Sequence, residues 1–410
     1  MKIMKIGMLL LAGSFFLSGC GAGTVKSGVT VNGVPVGEMP YEEAVREVRK
    51  GFVYLPLTVH SPAGDYAAPL DYSDNLESLL REAKRGKAYS AKVRREWISM
   101  EDFLGMVCRD NAKESVNASL SFDKNGFNYF SEVYGVACDY EALLENAFSA
   151  LMSEKTQISL DCHAVVPEIT VAKLRERTQL LAAFSTGYDP SNLPRSHNVS
   201  LATERIVGTV IESGGEFSFN GTVGARTEEN GYEIAAVIQD GEFVSGVGGG
   251  VCQVSTTLFG AALRAGLEIA ESRPHSLSVG YALPSQDAMV SEYSDLKLIN
   301  PYSYPVYVLG SAEGGILSFS FYGMPDGNTY EVESHVLYRL EPPPMKVVEG
   351  SENRVVRAER EGLASESFRL VYDGAGNLLS RTLIRRDTYA CVQGIEERVP
   401  ERTEGVLEGG

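Results

Sequence analysis

Residues 246–259 have the sequence Gly-Val-Gly-Gly-Gly-Val-Cys-Gln-Val-Ser-Thr-Thr-Leu-Phe, and this stretch decides how the centre of the chain folds. Three successive glycines let the backbone adopt positive φ angles. Apolar residues then line one face from Val251 to about Ala265, and Gly266 follows, so the pattern predicts a helix that ends there. Cys252 falls in its first turn, where unpaired amide groups and the helix dipole stabilise a thiolate and lower the pKa of the thiol.

A histidine and a carboxylate follow this helix. His275 comes ten residues after it and opens a strand-like segment, residues 276–281, and Asp287 follows a proline-containing loop. This order matches papain-like thiol hydrolases, in which a cysteine attacks a carbonyl, a histidine protonates the leaving group and a carboxylate orients the imidazole. Neighbouring donors would stabilise the oxyanion. The candidate catalytic residues are Cys252, His275, Asp287 and Gln253.

A packing role for Cys252 is the alternative. Free cysteine is among the most buried residue types, and glycines also allow a helix to approach a sheet closely. His275 would then begin a strand with its ring bonded to the backbone. Geometry separates the two hypotheses, because catalysis requires the sulfur within hydrogen-bond reach of the imidazole in an open cleft.

Polar residues near this stretch are candidates for contacting a ligand. The alternating segment from Glu216 predicts a strand that ends at a polar turn, whose side chains either line a cleft or are solvated. No metal-ligand spacing, Walker loop or dinucleotide-binding glycine pattern is present, so neither a metal nor a cofactor is predicted. The candidate ligand-binding residues are Gly248, Gly249, Gly250, Ser255, Thr256, Asn220, Arg226 and Ser276.

The N-terminus has the pattern of an export signal. Lys2 and Lys5 precede an apolar run that ends at Leu17-Ser18-Gly19-Cys20, and the run is too short to span a bilayer. The cysteine after small residues resembles a bacterial lipobox, which predicts lipidation at Cys20 and an extracytoplasmic protein held on the bacterial cell membrane by acyl chains. A plain secretory signal is the alternative.

Composition and charge further narrow the classes of protein and of partner. The chain has 410 residues, of which 44% are hydrophobic and 22% charged, as expected for several folded domains. Its formal net charge of -17 argues against nucleic acid as a partner. Five cysteines remain once Cys20 is lipidated, so at least one is expected to be free or paired with another molecule. One disulfide is expected among Cys108, Cys138 and Cys162, but spacing does not assign the pair.

The pattern of elements predicts a multidomain α+β protein. Hairpin signals at Asn32-Gly33 and at residues 122–130 indicate one or two small α+β units over 28–170. Asp139 is expected to cap an amphipathic helix there, whose apolar face consists of Leu143, Leu144, Phe148 and Leu151. A mixed α/β domain over 195–323 and a small all-β module over 325–400 follow. Residues 1–20 form the signal, and 401–410 form a disordered tail.

The central domain resembles the VanW family of bacterial envelope proteins. The match runs over about residues 195–323 without an evident gap. The motifs that carry it are Gly215-Glu216-Phe217-Ser218-Phe219-Asn220, Val223-Gly224-Ala225-Arg226-Thr227, Gly248-Gly249-Gly250-Val251-Cys252-Gln253-Val254-Ser255-Thr256-Thr257-Leu258, Pro274-His275-Ser276-Leu277 and Asp287-Ala288.

Two flanking resemblances suggest what the protein does. Residues 31–37 and 42–44 are similar to the peptidoglycan-binding domain that precedes VanW domains, and residues 325–400 resemble a surface module of the G-five kind. The resemblance implies a lipid-anchored protein that binds peptidoglycan or its precursors. The alternatives are a cysteine-dependent hydrolase or transpeptidase acting on cell-wall peptide amides, and a structural envelope scaffold.

Overall fold

The computed structural model describes residues 23–239 and 242–399. They form two compact units, one of residues 23–116 and 134–167, the other of residues 117–133 and 168–399. Helices and strands are mixed in several small sheets, so the predicted multidomain α+β class is confirmed. The signal, Cys20 and the tail from 401 lie outside the described residues. Within the described part, no helix combines the length and apolarity that crossing a membrane requires.

The first unit contains two small cores. The predicted hairpin turns at Asn32 and Gly33, both with positive φ (48° and 80°), and the helix that follows buries Ala44, Val45 and Val48. Its helices are Tyr41–Arg49, Leu76–Glu82, Met100–Asn111 and Tyr140–Leu151. Its strands are Thr30–Val31, Val34–Pro35, Thr58–Ser61, Gly64–Ala67, Leu70–Asp74, Ala88–Tyr89, Val93–Trp97, Gly135–Cys138, Gln157–Ser159 and Cys162–Val165.

The helix after Asp139 is confirmed, with one correction to its buried face. The Asp139 carboxylate accepts a hydrogen bond from the amide of Ala142, as an N-cap does. The helix buries Leu143, Ala147 and Ala150, whereas Phe148, expected on the apolar face with Leu143, is 53% exposed. Small alanines rather than the aromatic ring therefore make the close contact with the second core.

A disulfide joins two strands beside this core. Cys138 and Cys162 are paired, 24 residues apart in sequence, on facing positions of an antiparallel ladder. Cys108 is free and packs against the same core. The bridge closes a loop that would otherwise be flexible in the unfolded chain.

Replacing both Cys138 and Cys162 by serine is expected to lower the free energy of unfolding of the first unit by about 3 kcal/mol, because the unfolded chain regains the entropy of the closed loop. Trp97, the single tryptophan, packs against the same core and reports on this unit in the intact chain. Urea titration followed by Trp97 fluorescence measures the change. The Cys391→Ser protein is the control, and an unchanged midpoint in the double variant contradicts the expectation.

The second unit is built on a four-stranded antiparallel sheet. In spatial order its strands are Gln179–Gly187, Ile316–Gly323, Val306–Glu313 and Val210–Ile211. The helix Val251–Arg264 packs on the first two of these strands, and it is called the cysteine helix from here on. The other helices are Val171–Glu176, Leu193–Ile206 and Phe219–Val223, with a 3-10 turn at Glu228–Asn230.

Smaller sheets surround this core. One pairs Glu216–Ser218, Lys297–Ile299 and Glu268–Glu271, and a separate hairpin pairs Ile234–Gln239 with Glu242–Val247. The hairpin Ser119–Asp123 and Gly126–Phe130, assigned from sequence to the 28–170 segment, belongs to this unit. Its Phe122 and Phe127 rings lie about 5 Å from the ring of Tyr307, at 4.9 and 5.0 Å. Aromatic contact therefore decides where the hairpin lies.

Residues 329–398 are all strand and loop. Three long strands, Thr329–Leu340, Gly362–Tyr372 and Leu378–Tyr389, form one sheet, and Lys346–Glu349, Ile395–Arg398 and Arg354–Arg357 form another. The strands Gly362–Tyr372 and Leu378–Tyr389 pair as a hairpin around the turn at 373–377. The long sheet belongs to the same compact unit as the cysteine helix, and its buried Ser367 hydroxyl donates to the carbonyl of Ser285.

Candidate functional site

The glycine turn before the cysteine helix can be built only from glycine. Gly248 and Gly250 have φ of 84° and 109°, a region that other residues avoid. Gly249 has an ordinary φ, but a Cβ there would lie 2.5 Å from the carbonyl oxygen of Ala236. The turn therefore allows the hairpin strand Ile234–Gln239 to pass directly over the start of the helix.

The cysteine helix runs from Val251 to Arg264, which confirms the predicted helix. All its residues are buried except Cys252 and Arg264, which are half-buried. In the first turn the amides of Val251 and Gln253 donate to Gly248 and Gly250 carbonyls, at 3.1 and 2.9 Å. Among the described residues the amide of Cys252 has no acceptor. The helix start thus offers a thiol and a free N–H to the same space.

His275 lies on a loop and not at the start of a strand. Residues 276–281 form bends and irregular backbone, so the predicted strand is wrong. The loop is fixed instead by Asp287, whose Oδ2 accepts hydrogen bonds from the backbone N–H of His275 (2.8 Å) and from its Nδ1 (2.6 Å). Because a carboxylate only accepts, Nδ1 carries a proton and Nε2 faces the thiol. The Cys252 thiol lies at a distance of 3.4 Å from the carbonyl oxygen of Val290, to which it donates, and it is close enough to His275 for each side chain to shift the pKa of the other.

The charges of the three residues reinforce one another. Burial alone would raise the pKa of the Cys252 thiol, but the hydrogen bond and charge of His275 outweigh it and lower that pKa below its ordinary value. Burial opposes protonation of His275, yet Asp287 and Cys252 raise its pKa to about 9. Burial is likewise outweighed at Asp287, whose pKa is lowered by His275 and Arg385. All three shifts favour the same state, a thiolate at Cys252 beside an imidazolium at His275.

Asp287 is held by residues that sequence patterns did not indicate. Its Oδ1 accepts hydrogen bonds from Arg385, at 2.9 Å, and from the hydroxyl of Tyr389. The Tyr389 oxygen also accepts from the backbone N–H of Ser285, at 2.7 Å. Both side chains come from the strand Leu378–Tyr389, about a hundred positions further along the chain, so no local spacing marks them.

A cavity of about 880 Å³ lies beside the thiol. Of the predicted residues, Cys252, His275, Gln253, Asn220, Arg226 and the three glycines, Gly248, Gly249 and Gly250, line it, and Asp287 stands behind His275. The structure therefore brings together the predicted cysteine, histidine and aspartate. Within the part of the chain it describes, no group of three His, Cys, Asp or Glu side chains is arranged to hold a metal ion.

Gln253 lies at the cavity edge but its amide group is engaged elsewhere. Its Nε2 donates to Thr186 Oγ1 and to the Gly187 carbonyl, at 2.9 and 2.8 Å, and its Oε1 accepts from Arg195. Both amide protons are thus used to fasten the helix to the sheet. The amide N–H of Cys252 is better placed than this side chain to meet an oxyanion.

Three other predicted ligand contacts lie outside the cavity lining. Ser255 and Thr256 are fully buried, and their hydroxyls bond to the backbone of Ala288, which fixes the segment after Asp287. Ser276 is exposed away from the cavity, where its carbonyl accepts from Ala390, and Ser278 lines the cavity in its place. This corrects the placement expected from sequence for all three.

Tyr281 is a cavity residue that sequence reasoning did not single out. Its ring lies 6.5 Å from that of His275, edge to face. Burial, together with the negative charges of Cys252 and Asp287, raises the pKa of its hydroxyl, so the phenol stays protonated and can donate. Asn220, by contrast, uses its amide for the carbonyls of Ser291 and Ser294 and shapes the wall.

A multidomain α+β protein with a cysteine–histidine–aspartate arrangement at a helix start is the class that fold and site define. Residues 194–322 match the family model described as VanW like protein. The resemblance to VanW proteins that the sequence shows over residues 195–323 is therefore confirmed for these residues. Arg385 and Tyr389, which hold Asp287, lie beyond the matched residues.

Two known proteins are similar to parts of the chain. The uncharacterized protein YoaR of Bacillus subtilis strain 168 is 42% identical over 146 residues, which cover 35% of this chain and 48% of that protein. The chain thus spans about half the length of the curated relative it matches. The solved G5 domain structure of an IgA1 protease is 19% identical with a TM-score of 0.14, covering 18% of this chain and 89% of that chain.

Proposed function

We propose that the protein is a cysteine-dependent acyl-transfer enzyme, a hydrolase or transpeptidase, that acts on peptide amides of the bacterial cell wall. The observation that carries the proposal is that Cys252 and a buried, hydrogen-bonded His275–Asp287 pair meet at one cavity, with the imidazole close enough to lower the pKa of the thiol. A cysteine that only packed would not need a buried imidazole, or an aspartate held by further donors behind it.

The chemistry follows from these groups. The Cys252 thiolate attacks the amide carbonyl carbon, a C–S bond forms, and the oxygen takes the negative charge, which the Cys252 amide N–H can stabilise. When the C–N bond breaks, the His275 imidazolium gives its proton to the leaving nitrogen, and a thioester remains. Water or an amine then attacks the thioester, neutral His275 takes the proton, and the thiolate leaves. The products are an acid or a new amide.

The substrate and the compartment rest on the sequence. The first unit resembles a peptidoglycan-binding domain, and the N-terminus has the pattern of a lipoprotein signal with Cys20 as the anchor. Together they support an enzyme held at the outer face of the cell membrane, where wall peptide lies within reach. The chain has a disulfide, Cys138–Cys162, as well as the free sulfhydryl of Cys252, and both are compatible with that compartment.

The test is to trap the acyl-enzyme. The chain from residue 21 onward is mixed with purified peptidoglycan fragments, and intact-mass spectrometry follows the protein. We expect an added mass that maps to Cys252 and disappears with hydroxylamine, which cleaves thioesters, together with a released amine.

The matched variant is Cys252→Ala, which should bind the fragments without gaining mass. Cys391→Ser removes a different free thiol of the same unit and should react as the unmodified protein does. Fragments retained by the unmodified protein without any adduct or product would instead indicate a binding protein, and the proposed reaction would be wrong.

A further inference from the structure

The charge inside the cavity is opposite to that of the whole chain. Besides the cysteine and histidine, the charged side chains that line it in the described part of the chain are Arg195, Arg226 and Arg360 and one carboxylate, Glu292. The chain as a whole carries a formal charge of -17. Guanidinium groups concentrated at one concave site in an acidic protein are suited to an anionic ligand.

These arginines are bonded to neutral groups. Arg195 donates to Gln253 Oε1 at 2.8 Å, Arg226 donates to Asn220 Oδ1 at 2.7 Å, and Arg360 donates to the hydroxyl of Ser278 at 2.8 Å. Among the described residues none of the three forms an ion pair with a carboxylate. Each guanidinium has five N–H donors, so each keeps donors that a ligand can use.

Two of the arginines pack on the glycine turn that leads to Cys252. The Arg226 side chain packs on Gly248, where a Cβ would come within 2.9 Å of it, and that of Arg195 packs on Gly250, where the distance would be 3.1 Å. The positive charge of Arg226 is one of the causes that lower the pKa of Cys252. Both guanidinium stems therefore rest on the glycine turn that presents the thiol.

We propose that Arg226 and Arg195 bind a free carboxylate of the acyl-donor peptide and place the amide next to it over Cys252. The ligand class is a short peptide with a carboxylate close to the bond that reacts. A guanidinium binds a carboxylate through two parallel N–H···O bonds, which fixes direction as well as position. The position of the reacting bond rests on the proposed function, whereas the carboxylate site itself does not.

The test measures binding in a protein that lacks the nucleophile. In the Cys252→Ala chain, isothermal titration compares N-acetyl-L-lysyl-D-alanine with its C-terminal carboxamide, which differs only in the charged group. We expect the acid to bind about tenfold more tightly than the amide. Adding Arg226→Gln should reduce this ratio to below about twofold, and Arg226→Lys, which keeps charge but not the planar fork, should give an intermediate ratio.

Arg339→Gln is the matched control. Arg339 is exposed, pairs with Glu361 and loses the same charge when changed, so the ratio should stay near tenfold. Equal affinity for acid and amide in the Cys252→Ala chain, or no binding of either, overturns the proposal. The proposal is also overturned if Arg339→Gln lowers the ratio of acid to amide affinity as much as Arg226→Gln does. The net charge of the chain would then explain the loss of preference for the acid. None of these results depends on thioester chemistry, so the reaction can fail while this site stands.

Discussion

In the His275→Ala protein, iodoacetamide is expected to alkylate Cys252 at pH 6 about 100-fold more slowly than in the unmodified protein. Without the imidazolium, burial of the sulfur is no longer offset, and the pKa of the thiol returns to its ordinary value or rises above it. A thiol with a pKa of about 8.5 is ionised in roughly one molecule in 300 at pH 6. The thiolate is the form that reacts, so the rate falls with it.

The pH dependence of the unmodified protein follows from the same pair. The pKa of Cys252 is lowered, and that of His275 is raised to about 9. The thiolate–imidazolium pair therefore forms above the pKa of Cys252 and is lost as the pH rises through the pKa of His275. Alkylation of Cys252 should therefore continue to lower pH than alkylation of an ordinary thiol does. Acyl transfer should decline above about pH 9, because neutral His275 has no proton for the leaving nitrogen.

Other residues of the same chain supply the controls. Cys108, whose pKa is raised first by burial and then by Asp139, should react slowly in both proteins, and His335→Ala removes a half-exposed imidazole that pairs with Glu333. Peptide mapping after timed alkylation gives each rate. If Cys252 in the unmodified protein is as slow at pH 6 as Cys108, the thiolate does not exist and the packing role is correct.

Local patterns located the parts of the site that lie on regular elements. The glycine run and the apolar period predicted the helix from Val251, and the Asn32-Gly33 and 122–130 hairpins formed as expected. These signals act over a few residues, because backbone freedom and one buried face decide them. The order of Cys252, His275 and Asp287 was enough to suggest that they meet.

Helical register explains why the amide group of Gln253 is bonded to the sheet and why Ser255 and Thr256 do not line the cavity. Each residue turns about 100° from the previous one, so Gln253 faces the strand Gln179–Gly187 while Cys252 faces the cavity. Ser255 and Thr256 return to the side of Cys252 but one turn deeper, under the backbone of Ala288. Sequence shows which residues are polar, but not which of them another segment covers.

For residues 276–281 the sequence pattern predicted a strand that the structure does not contain. Ser276, Leu277 and Ser278 alternate as a strand does, and Leu277 is buried, yet no strand pairs with this segment among the described residues. The alternation arises because Leu277 packs into the core while the backbone N–H of His275 is bonded to a side-chain carboxylate. Alternation of polar and apolar residues with a period of two indicates that one face of a segment is buried. A strand also needs a neighbouring strand with which it forms hydrogen bonds.

Replacing Asp287 by asparagine is expected to slow acyl-enzyme formation about 100-fold at pH 7. The carboxylate accepts from four donors: the backbone N–H and Nδ1–H of His275, a guanidinium N–H of Arg385 and the hydroxyl of Tyr389. An amide has one oxygen and one NH2 group. Whichever way it is turned, the NH2 group faces a donor, either at His275 or at Arg385.

The consequence for His275 has a defined sign. The negative charge of Asp287 is one of the causes that raise the pKa of His275 to about 9, so its removal lowers that pKa and weakens the ion pair. The acid side of the Cys252 alkylation profile should therefore move to higher pH. Intact-mass kinetics and alkylation measure the two effects, and Asp373→Asn, in a hairpin turn of the same unit, is the matched control.

Tyr389→Phe separates this role from a purely structural one. It removes one hydroxyl and keeps the buried ring, so the chain should fold, while Asp287 loses one of the two donors on Oδ1. We expect about a tenfold slower acylation, between the unmodified protein and Asp287→Asn. Tyr338→Phe, at an exposed ring of the same sheet, should have no effect. If Tyr389→Phe does not slow acylation but Asp287→Asn does, Arg385 alone holds Oδ1 of the carboxylate. If neither variant slows acylation, the aspartate supports the His275 loop and takes no part in the chemistry.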